Sequence, residues 1–312
     1  MPADRLPPRP GRHRGGLRTR LELAVLLGPA LVLFVGFVLL PIGVAAYYSL
    51  YDWNGFGPLT DFIGLGNYHK VLADPAFQQA VGHNLIIAGL SLVVQLPLGL
   101  GLALLLNRRL HGRSFLRLVT FAPYVLSEAI TAVTWALMLQ PDGFVDQVFR
   151  AAGLGDLVHL WLADRGIVLY TMFVVITWKY LGFGIILFLA GLTGIPPELR
   201  EAAALDGATP WQAIRHVVLP LLGPTTRIWV FLSVIGSLQL FDLVWIMTSG
   251  GPANASGTMA TYLFDRGFTR YAFGYGSAVT VILFVISFAF ALLYQRFALR
   301  RDIDGALTRM AG

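Results

Sequence analysis

The chain has 312 residues, of which 56% are hydrophobic and 13% are charged, and its mean hydropathy is +0.68. This composition excludes an ordinary soluble domain and places the chain in a membrane. The formal net charge is +6, but the basic residues stand at the ends of apolar segments, where topology and anionic lipids explain them better than nucleic acid does. The absence of cysteine excludes disulfides, thiolate metal sites and cysteine nucleophiles.

The first 48 residues divide into a polar and an apolar part. Residues 1–20 are rich in proline and arginine and hold too little apolar surface to fold alone, so they are predicted to form a disordered basic tail. The apolar segment at about 23–48 is too long for the core of a cleavable signal peptide. It is predicted to be a retained membrane span.

Stretches without charged residues identify the spans, since a helix needs about 20 apolar residues to cross the hydrocarbon core. Residues 23–51, 75–107 and 271–295 contain no Asp, Glu, Lys or Arg, and three further apolar runs hold few charges. The predicted spans are about 23–48, 84–106, 116–139, 167–191, 226–248 and 273–295. The predicted fold class is an all-α membrane protein, with six transmembrane helices in a domain over 21–298 and a tail over 299–312.

The basic residues predict the orientation of these spans. Seventeen of the 23 basic residues fall in the N-terminal tail, the loops after spans 2 and 4, and the C-terminal tail. Because arginine and lysine are kept on the cytoplasmic side, both termini are predicted to be cytoplasmic.

The sequence contains no recognisable catalytic or nucleotide site. A phosphate-cradling loop needs a lysine after a glycine, whereas Lys70 follows His69 and Lys179 follows Trp178. The histidines fall in tails, loops or span ends, and no His-Glu-x-x-His motif occurs. We therefore expect no catalytic residue, no metal site and no cofactor bound by this chain itself.

One loop, residues 193–224, carries dense start and stop signals for helices. Pro196 and Pro197 can open a short helix, which Asp206-Gly207 would end. Thr209-Pro210-Trp211-Gln212 then has the pattern of a capping box before a second helix that reaches Pro220. The pattern predicts a compact cytoplasmic knob.

The surface of this knob favours a protein partner. Leu199, Ala202 and Ala203 share one helix face at i, i+3 and i+4, and their small side chains allow close approach. The alternative is an interfacial helix lying on the bilayer. The charged residues of the first helix and its end leave no apolar face wide enough for lipid; they are Glu198, Arg200, Glu201 and Asp206.

These residues resemble a known family. Glu201-Ala202-Ala203, Asp206-Gly207-Ala208, Leu219-Pro220 and Pro224 are similar to the "EAA" loop of ABC importer permeases. The similarity extends along most of the chain to the first of the two permeases in maltose-like and glycerol-phosphate-like carbohydrate importers. The further matching segments are Pro41–Trp53, Phe62–Tyr68, Asn84, Phe241–Asp242 and Thr248–Pro252.

The resemblance implies the type I permease fold of ABC importers in a bacterial inner membrane, in a shorter form with six spans. It implies three kinds of partner besides the lipid bilayer: a sister permease, two ATPase subunits that use ATP and magnesium, and an extracytoplasmic solute-binding protein. The loop would dock in a groove of the ATPase, with Glu201 as the ion-pairing residue and Gly207 as the turn that sets the helix angle. The residues implied in coupling are Glu201, Ala202, Ala203, Leu205, Asp206, Gly207, Ala208 and Pro220.

Two charged residues are predicted to lie deep in the bilayer. Glu128 lies about 18 Å into span 3, and Lys179 lies about 18 Å into span 4 from the opposite side. We expect them to pair beside a translocation path, because pairing lowers the cost of burying each charge. A scaffold ion pair without substrate contact is the alternative.

A second candidate for the path lies in the outer half of span 5. The carboxylate of Asp242 and the amide of Gln239 could bind sugar hydroxyls while the ring of Trp245 covers the apolar side of the sugar. A helix-end cap or a contact to the sister subunit is the alternative.

The sequence thus favours a permease subunit that forms half of a path for a sugar or a related polyol. An ion-coupled secondary carrier, with Glu128 or Asp242 as its ion site, is the alternative function. The folded knob and the lack of visible internal repeats count against a carrier. A receptor or scaffold would explain the loop but not the buried polar residues.

Overall fold

The computed structural model describes residues 17–108 and 111–299. Within these residues the chain is helical, and the β-type pairing is confined to a single bridge between Tyr51 and Phe62. The helices of the first half are α1 Leu17–Phe34, α2 Leu40–Tyr48, α3 Gly66–Ala73, α4 Pro75–Leu90, α5 Leu96–Leu106, α6 Arg113–Val125, α7 Glu128–Met138 and α8 Phe144–Ala151. Those of the second half are α9 Val168–Thr193, α10 Pro197–Leu205, α11 Pro210–Ala213, α12 Leu219–Leu221, α13 Gly223–Leu238, α14 Asp242–Thr248, α15 Met259–Phe264 and α16 Phe273–Tyr294.

Four helical runs are long and apolar enough to cross a membrane. They are Ala24–Tyr48, Pro75–Leu106, Val168–Thr193 and Phe273–Ala298. Short π-helical stretches continue the helix where α1 meets α2 and where α4 meets α5. These runs confirm the all-α membrane fold class and correspond to the first, second, fourth and sixth predicted spans. The first helix begins at Leu17, inside the predicted tail, while residues 1–16 and 300–312 lie outside the described residues.

The third predicted span is bent rather than straight. α6 and α7 meet at an angle of 97°. Leu126 and Ser127 have extended backbones, and the Ser127 side chain accepts a hydrogen bond from Ile130 N at 3.2 Å, which caps the new helix. Pro123 in the last turn of α6 has no N–H to donate, which weakens that turn.

The fifth predicted span, 226–248, is wrong at its outer end. α13 stops at Leu238, and α14 is a separate helix that begins at Asp242. The helical run that bends into α13 is instead Pro210–Leu221, at an angle of 64°. If each bent pair is one span, the described part of the chain has six candidate spans.

Close helix packing in the centre depends on small residues of α9. A Cβ atom at Gly182 would overlap the backbone of Thr120 in α6. A Cβ atom at Gly184 would lie 2.7 Å from Nε1 of Trp229 in α13. In lipid, where helices gain little from burying apolar surface, such close backbone contacts drive association.

Three apolar clusters of the described residues lie along the bundle. One surrounds Phe188 and Leu222 at the end that carries the 193–224 loop. A second surrounds Met172 and Leu243 further along the bundle. The third, around Met259 and Val279, lies at the opposite end. The clusters hold α9 and α13 in the middle of the bundle, where the cavity described below is found.

Candidate functional site

The first helix of the 193–224 loop has the predicted boundaries. α10 begins at Pro197 and ends at Leu205, and Gly207 takes the left-handed conformation with φ of +81°. Ala208 N donates to Ala203 O at 2.9 Å and Gly207 N donates to Ala204 O at 3.1 Å, which closes the helix end. A residue with a side chain would be strained at Gly207.

The second helical run of the loop begins with the predicted capping box. Thr209 N donates to the Gln212 side chain at 2.8 Å, and Gln212 N donates to Thr209 Oγ1 at 3.4 Å. The run includes a π-helical stretch, Ile214–Val218, and reaches Leu221, one residue beyond the predicted end. The loop is therefore folded by its own local hydrogen bonds.

The first helix of this loop is exposed within the described chain, whereas Val218 in the second helical run and Leu222 directly after it are buried. No residue of α10 is buried, and the Leu205 side chain at its end is 89% exposed. Of the predicted coupling residues, Ala203 and Ala208 are half-buried; the exposed ones are Glu201, Ala202, Leu205, Asp206, Gly207 and Pro220. They form one continuous structural element with acidic and apolar side chains on its surface.

Lys179 and Glu128 are close in the fold but do not form the predicted ion pair. Lys179 is 3% exposed, and its Nζ donates to Leu126 O at 2.6 Å. The Glu128 carboxylate accepts a hydrogen bond from the Tyr180 hydroxyl. Among the described residues no salt bridge joins the two, so the predicted pairing is wrong.

Helix ends explain why these two charges need no ion pair. Leu126 follows α6, whose carboxyl end carries partial negative charge and attracts the lysine. Glu128 is the first residue of α7, whose amino end carries partial positive charge. The bend in the third span therefore provides a site for each charge.

The second predicted group lies at the break between α13 and α14. Gln239 is in the break, and Asp242 is the first residue of α14. The Trp245 ring packs on the rings of Phe241 and Phe264, with centroid distances of 6.0 and 4.7 Å. Gln239 and Asp242 are exposed in this chain.

A cavity of about 270 Å³ opens between α4, the π-helical stretch Ser91–Gln95, α6, α9 and α13. Its polar lining consists of Ser91, Gln95, Ser233 and Ser237, and its aromatic lining consists of Tyr124, Tyr180, Phe183 and Trp229. The remaining lining is aliphatic or glycine. None of Glu128, Lys179, Gln239, Asp242 and Trp245 is a lining residue, although Tyr180 connects the wall to Glu128.

Sequence reasoning missed this cavity: none of the residues predicted for the path lines it. The sequence signal was Ser233 and Ser237, spaced i and i+4 on one face of an apolar helix, together with Ser91 and Gln95 in a charge-free span. The prediction of the path relied on charged residues, and these do not line the cavity. The polar part of the cavity lining is uncharged.

The end of the bundle opposite the loop is held by a polar network around Asp74, which caps α4. Its carboxylate accepts hydrogen bonds from Ala76 N at 2.8 Å and the Tyr262 hydroxyl at 2.6 Å, and Arg266 lies 3.3 Å away. Burial alone raises the pKa of Asp74, but the hydrogen bonds from Tyr262 and Ala76 and the charge of Arg266 hold it below its usual value. The carboxylate is thus ionised and fixes the start of α4.

The segment after α14 folds back into the same end. Asn84 of α4 donates to Ser237 O at 2.5 Å and accepts from Met259 N at 2.9 Å. His83 Nδ1 lies 2.8 Å from Gly257 O. These contacts join α4 to the end of α13, to the start of α15 and to Gly257 between them.

Comparison with known proteins gives consistent results along the chain. The family model described as binding-protein-dependent transport system inner membrane component matches residues 95–303. The diacetylchitobiose uptake system permease protein NgcF of Streptomyces coelicolor is 32% identical over 300 residues, which cover 90% of this chain and 85% of the relative. The sn-glycerol-3-phosphate transport system permease protein UgpA of Agrobacterium fabrum is 31% identical over 284 residues, which cover 89% and 94%.

A solved structure shares the fold. A chain in the crystal structure of a bacterial ABC transporter involved in the import of the acidic polysaccharide alginate superposes with a TM-score of 0.77. The sequence identity is 23%, and the match covers 91% of this chain and 96% of the other. At this identity the likeness shows the shared architecture.

Proposed function

Because the chain belongs to the family of binding-protein-dependent transport system inner membrane components, we propose that it forms half of the translocation path of an ATP-driven sugar importer and couples that path to a separate ATPase. It is a multi-pass protein of the inner membrane. The other half of the path belongs to a sister permease, and an extracytoplasmic binding protein delivers the substrate. Two ATPase subunits, which use ATP and magnesium, drive the cycle.

The observation that carries the proposal is the 193–224 loop. Its two helical parts are fixed by Gly207 and the Thr209–Gln212 capping box, yet no residue of α10 is fully buried among the described residues. A folded element with an 89% exposed leucine at its end is suited to docking in another protein. In this role Glu201 forms an ion pair with a basic residue of the ATPase. Closure of the ATPase dimer then moves α10 and the helices attached to it.

The orientation follows from the basic residues and the loop together. Docking to an ATPase requires the 193–224 loop on the cytoplasmic side. The excess of arginine in the same loop, in the loop after α5 and at both termini supports that side, since basic residues are kept in the cytoplasm. Both termini are then cytoplasmic.

The cavity supports a saccharide or a related polyol as the substrate. Serine hydroxyls and the Gln95 amide can bind sugar hydroxyls, while the faces of Tyr124 and Trp229 can cover the apolar side of a sugar ring. Relatives with names such as diacetylchitobiose uptake system permease support the same class. Glu128 acts on this cavity through Tyr180, and Gln239, Asp242 and Trp245 extend the path from the α13–α14 break.

Reconstitution tests the proposed function against the ion-coupled carrier. Proteoliposomes that contain both permeases, the ATPase subunits and the binding protein should accumulate a saccharide only when ATP is enclosed on the ATPase side. Vesicles with this chain alone and an imposed proton or sodium gradient should show no uptake. Gradient-driven uptake by the chain alone would refute the coupling role.

A further inference from the structure

The residues that line the cavity are uncharged, and the Glu128 carboxylate lies behind Tyr180 in one wall. We infer that this half of the path accepts uncharged saccharides and rejects saccharides that carry a phosphate or a carboxylate. The inference rests on the proposed function and narrows its substrate class. Family membership leaves the charge open, since one relative is named for diacetylchitobiose and another for sn-glycerol-3-phosphate. The charge of the substrate is therefore inferred from the residues of this chain.

No lysine or arginine is among the residues that line the cavity in the described chain. The neighbouring bases are directed elsewhere. Lys179 Nζ is bound to Leu126 O at 2.6 Å, and Arg117 Nη2 donates to Leu106 O at 3.2 Å. The Arg227 guanidinium lies against Gly223, toward the start of α13 and away from Ser233.

Three polar groups that line the cavity have a donor engaged within the protein, which leaves their oxygens as acceptors. Tyr180 donates its hydroxyl proton to Glu128, which leaves the phenol oxygen as an acceptor. Gln95 donates one of its two Nε2 protons to Thr177 Oγ1 at 3.0 Å, and its carbonyl oxygen is available as an acceptor. The Ser237 hydroxyl donates to Ser233 O at 2.8 Å. A sugar hydroxyl can donate to such oxygens, whereas an ionised phosphate or carboxylate can only accept.

An anion in this cavity would therefore lose its hydration without gaining a cation. Buried charges in proteins are paired or hydrogen-bonded, because an unpaired one is costly. The Glu128 carboxylate next to Tyr180 adds repulsion, which weakens only slowly with distance where water is excluded. A neutral sugar has no charge to desolvate and is not repelled by Glu128.

The first test measures uptake by the complete importer in proteoliposomes with its binding protein. The neutral probes are maltose, trehalose, cellobiose and N,N′-diacetylchitobiose, and the anionic probes are glycerol 3-phosphate and dimannuronate. At least one neutral probe should be taken up tenfold faster than either anion. Uptake of an anion within threefold of the best neutral probe would overturn the inference and leave the importer function standing, whereas rejection of every saccharide would count against both.

An isosteric pair of variants distinguishes the permease's contribution to substrate selectivity from that of the binding protein, which also selects substrate. Ser233→Asp and Ser233→Asn place side chains of equal size in the cavity wall and differ by one negative charge. Both variants alter a lining residue, so the readout is the ratio of neutral to anionic uptake per assembled complex rather than the rate itself. This ratio should be tenfold or higher in both variants. A ratio below three in Ser233→Asn that rises tenfold in Ser233→Asp would show that the path itself admits an anion.

Discussion

The ε-ammonium group of Lys179 lies 2.6 Å from the carbonyl oxygen of Leu126, beyond the last turn of α6. The carbonyl groups at a helix end have no partner within the helix, and burial leaves them without water. Lys179 supplies a hydrogen bond together with a charge that suits this end of the helix dipole. Glu128 is held by a different partner, the Tyr180 hydroxyl.

This arrangement predicts unequal effects of neutralising the two residues. Lys179→Met leaves Leu126 O without its donor and should lower the stability of the purified protein by about 1.5–3 kcal/mol, the range for hydrogen bonds to charged groups. Glu128→Gln keeps an oxygen that accepts from Tyr180 and should change stability little. Thermal unfolding in detergent, with Lys179→Arg as the matched control, measures both. Strong destabilisation by Glu128→Gln would instead indicate a direct pair with Lys179.

Sequence reasoning located these residues but not their partners. Charge and position in the apolar runs placed Glu128 and Lys179 deep among the helices, and both indeed lie at the bend in the third span. The pairing failed because it assumed a straight third span. A bent span exposes helix ends that stabilise each charge separately.

At the scale of elements, the bend between α6 and α7 and the break between α13 and α14 distinguish the fold from six straight helices. Hydropathy treats residues 116–139 as continuous because most residues on either side of Ser127 are apolar. The signals for the bend were local ones: Pro123 near the end of α6 and Ser127 as a helix cap. The break at Gln239–Phe241 has no proline or glycine, so its position depends on tertiary packing. The loop at 193–224, by contrast, was predictable because its caps are encoded by adjacent residues.

The packing of α9 against α6 gives a prediction at this scale. Gly182→Ala places a methyl group onto the Thr120 backbone, which cannot move aside as a flexible side chain could. It should reduce the yield of folded, monodisperse protein several-fold, although alanine favours helix. Gly101→Ala in α5 is the control, because nothing lies within 4 Å of a Cβ atom there. Equal yields of the two variants in membranes would contradict this account of the α6–α9 contact.

At the scale of the molecule, much of the apolar surface is left exposed by the chain itself. The run Ala24–Tyr48 has no buried residue in its most apolar window, whereas 56% of the corresponding window in α9 is buried. α9 is thus the central helix, with the cavity on one side and the 193–224 loop at its end. This arrangement connects a docking element directly to a cavity wall.

The central claim is that the loop transmits the work of an ATPase to this path. The most direct measurement is ATP hydrolysis by the reconstituted importer, stimulated by the loaded binding protein. Glu201→Lys and Leu205→Ser alter exposed side chains and should leave assembly intact while lowering stimulated hydrolysis at least tenfold. Leu157→Ser, at an exposed leucine of the opposite end, should hydrolyse ATP as the unmodified importer does. Full stimulation in assembled Glu201→Lys and Leu205→Ser importers would contradict the claim.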